Sequence, residues 1–396
     1  MSVDSITIIN QSIGFLLDVF LCSLSSFGGP EAHYGVFSQI LVHKKKYIDE
    51  KTLSELIGVF SLVPGPSSTQ TITAIGYLVG GPFIAFLTFL IWAFPAILMM
   101  TLIGLFFSQI GELTILEKLI EVLPAIAVGF IVYAAWSLSR KSVLNKHHLF
   151  LFVGVFLIGL LILPLSIFAV PFILIFSGLV LVLYEKPIFL KQKINAKPNW
   201  MLMIILILIA LLLELFSWSL NLPWLNLLNS FYRYGYSVIG GGQIVIPLMI
   251  QDLVTQQSLI SLETFLSGYA IDQAIPGPLF SFAAFVATQS LSGTSLSWLV
   301  GLISGLSIFV PGIILVYFVV PIWKSFRDIP WMKVFLSGIT IAAASLLSLT
   351  AFNQIFELVV NPIQLIWIGL TFALLLWKKI PTPLLVLILT LISLFF

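Results

Sequence analysis

The chain has 396 residues, 60% of them hydrophobic and only 9% charged, with a net charge of +2 and a mean hydropathy of +1.14. Soluble chains carry roughly 25% charged residues, so a soluble domain is excluded and an all-α polytopic membrane protein is expected. The near-zero charge argues against nucleic acid as a partner, and the lone Cys22 excludes an intrachain disulfide or a cysteine metal cluster.

The opening "MSVDSITIIN" has no basic region ahead of an apolar core, so no cleaved leader is expected. Residues 11–43 are apolar but break at Gly28, Gly29 and Pro30 inside "SFGGPEAH", and residues 52–80 break at Pro64, Gly65 and Pro66. Unbroken apolar runs follow at 83–109, 117–138, 148–164, 167–184 and 200–218. Residues 225–257 then break at Gly240, Gly241 and Gly242, and residues 262–290 at Pro276, Gly277 and Pro278. Runs at 297–323, 333–351, 363–377 and 381–396 complete the chain. A crossing helix needs about 20 apolar residues, and each arm of a broken stretch suits half a bilayer better.

The breaks are in register. Gly28 to Gly240 is 212 residues, and Pro64 to Pro276 is again 212. "WAFPAILMM" faces "IFVPGIILV" after a four-residue insertion. These matches imply a duplicated unit: residues 1–197 as a first transporter repeat, 198–222 as a linking transmembrane helix and 223–396 as a second repeat. Lys and Arg cluster at 44–51, 140–146, 186–197, 324–333 and 378–379, with Lys118 and Arg233 apart. If each broken stretch is a re-entrant hairpin, every cluster lies on the cytoplasmic side. Full crossings would place Lys44, Lys45, Lys46 and Lys51 outside. Under either arrangement the single crossing at 200–218 inserts the second repeat upside down.

Inverted repeats with discontinuous helices are a transporter architecture whose substrate sits near the midplane. A helix start exposes unpaired N–H groups and about half a positive charge, and a proline at the first helical position leaves that end intact. Starts near Pro30, Pro66, Gly242 and Pro278 are therefore expected to form an anion site. Ser67, Ser68, Thr69, Gln70, Gln243 and Ser281 stand beside those starts as hydrogen-bond donors; N-capping alone would also explain the hydroxyls. His33 lies one turn into the helix after Pro30, where a ligand role and a structural role are both open. Glu31 and Asp272 would repel an anion when ionised, which makes them candidates for proton coupling. Arg233, deep in an apolar stretch, is a candidate countercharge. Asp18 and Glu214 fit buried hydrogen bonds, and the Phe and Trp residues fit packing or lipid contact.

"SFGGPEAH", "VPGPSSTQ", "GGGQIVIPLM" and "GYAIDQAIPGPLFSFAAF" together resemble the chromate ion transporter family, long two-domain type, over nearly the whole chain. The resemblance implies a multi-pass inner-membrane protein of a bacterium or archaeon, made of two homologous halves, that exports chromate and so confers chromate resistance. Gln243, Leu21 and Asp272 depart from the residues usual in that family and weaken the local positive field, which brings sulfate into consideration. No nucleotide-binding loop is present, so secondary transport is expected rather than ATP-driven transport. An oxyanion channel or uniporter for sulfate-like anions is the alternative, and an intramembrane enzyme has no supporting spacing. The expected partners are a small inorganic oxyanion and the bilayer, with a homodimer left open; no cofactor or metal is expected.

Overall fold

The computed structural model describes residues 3–61, 63–111, 121–162, 169–187, 198–238, 245–323, 330–358 and 362–395. Every regular element among them is helical. Among the described residues, five helical stretches are long and apolar enough to cross a membrane, by length and composition, and shorter apolar helices accompany them.

The described residues form two compact units, each assembled from three stretches of chain. The first holds residues 1–103, 194–236 and 275–327. It contains α1 (Val3–Ser25), α2 (Pro30–Phe37, continued as a π-helical turn to Lys44), α3 (Glu50–Phe60) and most of α4 (Ser67–Gly111). It also contains α8 (Trp200–Leu220), nearly all of α9 (Pro223–Ser237), a 3-10 turn at Leu279–Ser281, α12 (Phe282–Ser290), α13 (Ser297–Ser307) and α14 (Val310–Val319). The second unit holds 104–193, 237–274 and 328–396. Its elements are α5 (Leu123–Ser142), α6 (Lys146–Ile162), α7 (Ala169–Glu185), α10 (Val245–Met249 with a π-helical turn to Gln256), α11 (Leu262–Asp272), α15 (Pro330–Leu358), α16 (Pro362–Trp377) and α17 (Thr382–Ile392).

The first broken stretch folds back on itself. The Phe15 and Tyr47 rings meet edge to face at 5.0 Å. Tyr47 donates to Asp18 Oδ2 at 2.8 Å, and Lys45 Nζ lies 3.3 Å from the same oxygen. Residues at the exit of the stretch thus lie beside its entry, the geometry of a hairpin. Asp18 is held in a buried polar contact, whereas Glu214, expected in a buried hydrogen bond, is exposed and accepts from Asn229 at 2.8 Å at the surface of α8. Asp49 caps α3 by accepting from the Thr52 amide at 2.7 Å, which holds its carboxyl below the ordinary carboxylate range.

Within α4 the backbone leaves helical geometry at Gly80 and Gly81 and the chain reverses. The two arms then run side by side: a Cβ on Gly76 would strike Thr88 and sit 3.2 Å from Ala85 Cα, and Trp92 reaches Thr69. The expected boundary between a broken stretch ending at 80 and a span starting at 83 therefore falls on this reversal.

Small residues and hydroxyls hold the second unit together, as expected where lipid offers no hydrophobic drive between helices. Gly178 of α7 and Gly338 of α15 approach so closely that a Cβ on Gly338 would sit 2.8 Å from Gly178 Cα. Ser345 of α15 donates to the Phe152 carbonyl of α6 at 2.7 Å. A Cβ on Gly129 of α5 would sit 2.8 Å from Thr371 Cγ2 of α16.

Candidate anion site

Three of the four breaks lie in the first unit. Pro30 is the first residue of α2, with Gly29 capping it at φ 96°. Pro66 sits one position earlier than expected, as the cap of α4: its carbonyl accepts the first helical bond, from the Gln70 amide at 2.9 Å. Pro278 likewise caps the 3-10 turn that leads into α12. Gly65 and Gly277 hold φ of +121° and +124°, a region L side chains rarely adopt.

The breaks touch. The Gly277 amide donates to the Ser26 carbonyl at 2.8 Å, joining the fourth break to the first. A Cβ on Gly277 would lie 2.6 Å from Ala96 Cβ, and one on Gly65 would lie 2.9 Å from Gly312 Cα. Ala96 and Gly312 each follow a proline, Pro95 and Pro311, in the two matching segments. The contact is reciprocal: each P-G-P glycine packs against the small residue of the other half. Internal contacts recur too. Ser23 donates to the Trp92 carbonyl at 2.8 Å, and its counterpart Gly235 abuts the carbonyl of Ile308, the counterpart of Trp92.

The start of α4 is the most polar buried point. Ser67, Ser68, Thr69 and Gln70 are all buried. Each hydroxyl meets an aromatic partner: Tyr34 donates to Ser67 Oγ, Trp92 Nε1 donates to Thr69 Oγ1, and His33 Nδ1 shares a proton with Ser68 Oγ, each at 3.0 Å. The His33 ring stands edge to face on Trp92 at 5.3 Å. With Ser67 and Thr69 receiving, their own hydroxyl protons point elsewhere, and helix geometry leaves the amides of Ser67, Ser68 and Thr69 without intrahelical acceptors. Gln70 spends its amide protons on the carbonyls of Pro64 at 2.8 Å and Gly312 at 3.2 Å, clamping the break. Among the described residues, Ser26 Oγ, His33 Nε2, Gln70 Oε1 and Thr73 Oγ1 are buried with no hydrogen-bond partner. Leaving such an atom unpaired costs about 1–3 kcal/mol, and native folds hold few of them. Thr73 lies one turn after Thr69, on the same helical face.

The remaining candidates are distributed. Ser281 is buried in the 3-10 turn. Arg233 lies on α9 with its guanidinium 5.9 Å from the Tyr234 ring centre. Asp272 is buried at the end of α11 in the second unit. Gly240, Gly241, Gly242, Gln243 and Lys118 lie outside the described residues, as does the side chain of Glu31. Sequence reasoning passed over Tyr34 and left Trp92 among the packing or lipid-facing residues. The signal lay in the pairing of "WAFPAILMM" with the segment that carries Gly312.

The chromate transporter family profile matches residues 13–228 and again residues 225–394. The chain belongs to the chromate transporter family. It is thus a multi-pass membrane transport protein and not an enzyme. An uncharacterized transporter of Methanocaldococcus jannaschii is 29% identical over 92% of this chain and 90% of its own length. The chromate transport protein of Cupriavidus metallidurans is 24% identical over 91% of this chain and 87% of its own. A probable chromate transport protein of Synechococcus elongatus is 23% identical over 91% and 90%. No solved structure matches the chain. The two profile matches overlap at residues 225–228.

Proposed function

We propose that this member of the chromate transporter family exports chromate, or a related divalent oxyanion such as sulfate, from the cytoplasm by secondary transport. The anion is held at the first turn of α4. The observation that carries this is the set of hydroxyls at Ser67, Ser68 and Thr69, each engaged by an aromatic side chain. Together with the three amides that lack intrahelical acceptors they form a donor-rich cradle at a positive helix end, which suits a tetrahedral dianion. Gly65 and Gly277 let backbone approach backbone where a side chain would intrude. The reciprocal contacts of Gly65 with Gly312 and Gly277 with Ala96 support two repeats related by a two-fold axis, and the odd linking crossing supports their inverted insertion. Arg233, in the same unit, supplies countercharge, and Glu31 exchanges a proton as the anion moves.

A dianion leaving a negative-inside cell gains about 4.6 kcal/mol per 100 mV, from about 2.3 per charge, so the membrane potential alone suffices as a driving force. The test is uptake of radiolabelled chromate and sulfate into inverted vesicles, with an imposed potential or pH gradient. Accumulation that follows the imposed gradient, and competition between the two anions, are expected. Gradient-independent leak at the rate of empty vesicles would refute transport of these anions.

A further inference from the structure

In the second unit, α6 and α7 each pack on α15 and splay apart from one another. Phe152 and Phe156 of α6 meet Ser345 and Phe352 of α15, while Gly178 of α7 nests on Gly338. Between the two helices runs a groove of about 820 Å³. It extends from His147 and Tyr184 at one end to Ile162 and Ala169 at the other, roughly 22 Å at the rise of an α-helix. Its middle is open: a Cβ added to Gly154 meets nothing within 4 Å. Its wall offers no donor there, because Ser177 already donates to the Ile173 carbonyl at 2.7 Å. Phe150 and Phe172 at its rim are 76% and 74% exposed.

The His147–Tyr184 end is different in kind. Tyr184 and His147 pair at 3.2 Å across the mouth. His148 bonds Glu185 at 3.0 Å and the Ser142 carbonyl at 3.0 Å, which ties the ends of α5, α6 and α7 together. That junction gathers Arg140, Lys141, Lys146 and Lys186, all exposed, with Glu185 beside them. A water in the apolar middle of this open groove would find no partners.

We propose that this groove is a binding site for an anionic glycerophospholipid of the cytoplasmic leaflet, with an acyl chain along Gly154 and the phosphate at Lys146 and Lys186. Hydrocarbon fits the donor-free channel, and a phosphate fits the basic mouth, which the positive-inside rule places at the cytoplasmic face.

The full chain, delipidated in detergent and titrated with phosphatidylglycerol or phosphatidylcholine of equal acyl length, tests this by native mass spectrometry. The wild type should retain phosphatidylglycerol more strongly. Lys146→Gln with Lys186→Gln should remove that preference, roughly fivefold per lysine, while phosphatidylcholine retention stays unchanged. Gly154→Phe should lower retention of both lipids, and Gly154→Leu should do so more mildly at an unchanged melting temperature. Wild-type retention in both Gly154 variants overturns the site. So does equal retention of the two lipids by the wild type, or a dimer that the Gly154 variants dissolve, which would make a second copy the occupant.

Discussion

The two P-G-P breaks of the first unit share a backbone and differ in the residues on their C-terminal side. Gly65 and Gly277 adopt nearly the same φ, +121° and +124°. Each packs on a small residue after a proline in the other half, Gly312 and Ala96. After the first break come Ser67, Ser68, Thr69 and Gln70; after the second come Leu279, Phe280, Ser281 and Phe282. Only the pair Thr69 and Ser281 keeps a hydroxyl at the same offset. The first break continues directly into an α-helix, whereas the second passes through a 3-10 turn. The difference teaches that the glycine geometry belongs to the architecture of both halves, while the hydroxyl donors belong to one. The joint is common to both breaks, and the run of hydroxyls follows only the first.

The largest effect should come from breaking the joint itself. Gly65→Val forces a β-branched side chain into positive φ and into the Gly312 backbone. These terms are about 1–3 kcal/mol each, so chromate uptake into inverted vesicles should fall more than tenfold at equal membrane abundance. Gly277→Ala should be impaired as well, and Ala96→Gly in the same chain should restore part of the loss by clearing the opposing Cβ. Wild-type transport by Gly65→Val would show that the shared geometry is dispensable.

The next effect separates the two turns. Ser68→Ala or Thr69→Ala should raise KM for the anion roughly tenfold or more, the range for a hydrogen bond to a charged group. Ser281→Ala should raise it less. Equal effects at Thr69 and Ser281 would make the site symmetric and end the contrast between the halves. Smaller still are the aromatic partners. Tyr34→Phe keeps its ring and Trp92→Phe keeps a smaller aromatic one, while both remove the donors to Ser67 and Thr69, so KM should rise roughly two- to tenfold with little change in maximal rate. A fall in maximal rate with KM unchanged would assign these rings to packing instead. Smallest should be the change on Arg233→Ala, which nonetheless should weaken uptake more than Lys118→Ala; equal effects would remove Arg233 from the site.

Much of this was legible in the sequence because hydropathy and breakers act locally. The described helices fall where the apolar runs stand, and the reversal at Gly80 and Gly81 falls where one stretch was expected to end and the next to begin. The hairpin of the first stretch was legible through the lysines alone, since Lys45 returns to Asp18. The choice of contact partners was not legible. Gly65 meets Gly312, and Gly277 meets Ala96, across more than 180 residues. That pairing is encoded in the absence of side-chain volume, which leaves no periodic signal. The same holds for Trp92, whose ring chemistry matters only because Gly80 and Gly81 fold it back onto Thr69. The division into units was hidden too: it cuts the fourth broken stretch between Ala274 and Ile275, leaving Asp272 and Gly277 in different units.

The most direct test is a cryo-electron microscopy map of the full chain in lipid nanodiscs at saturating chromate. A tetrahedral density within hydrogen-bond reach of the Ser67, Ser68 and Thr69 hydroxyls is the predicted result. Density confined to the second unit, or an ordered first turn of α4 that binds nothing while the protein transports, would contradict it.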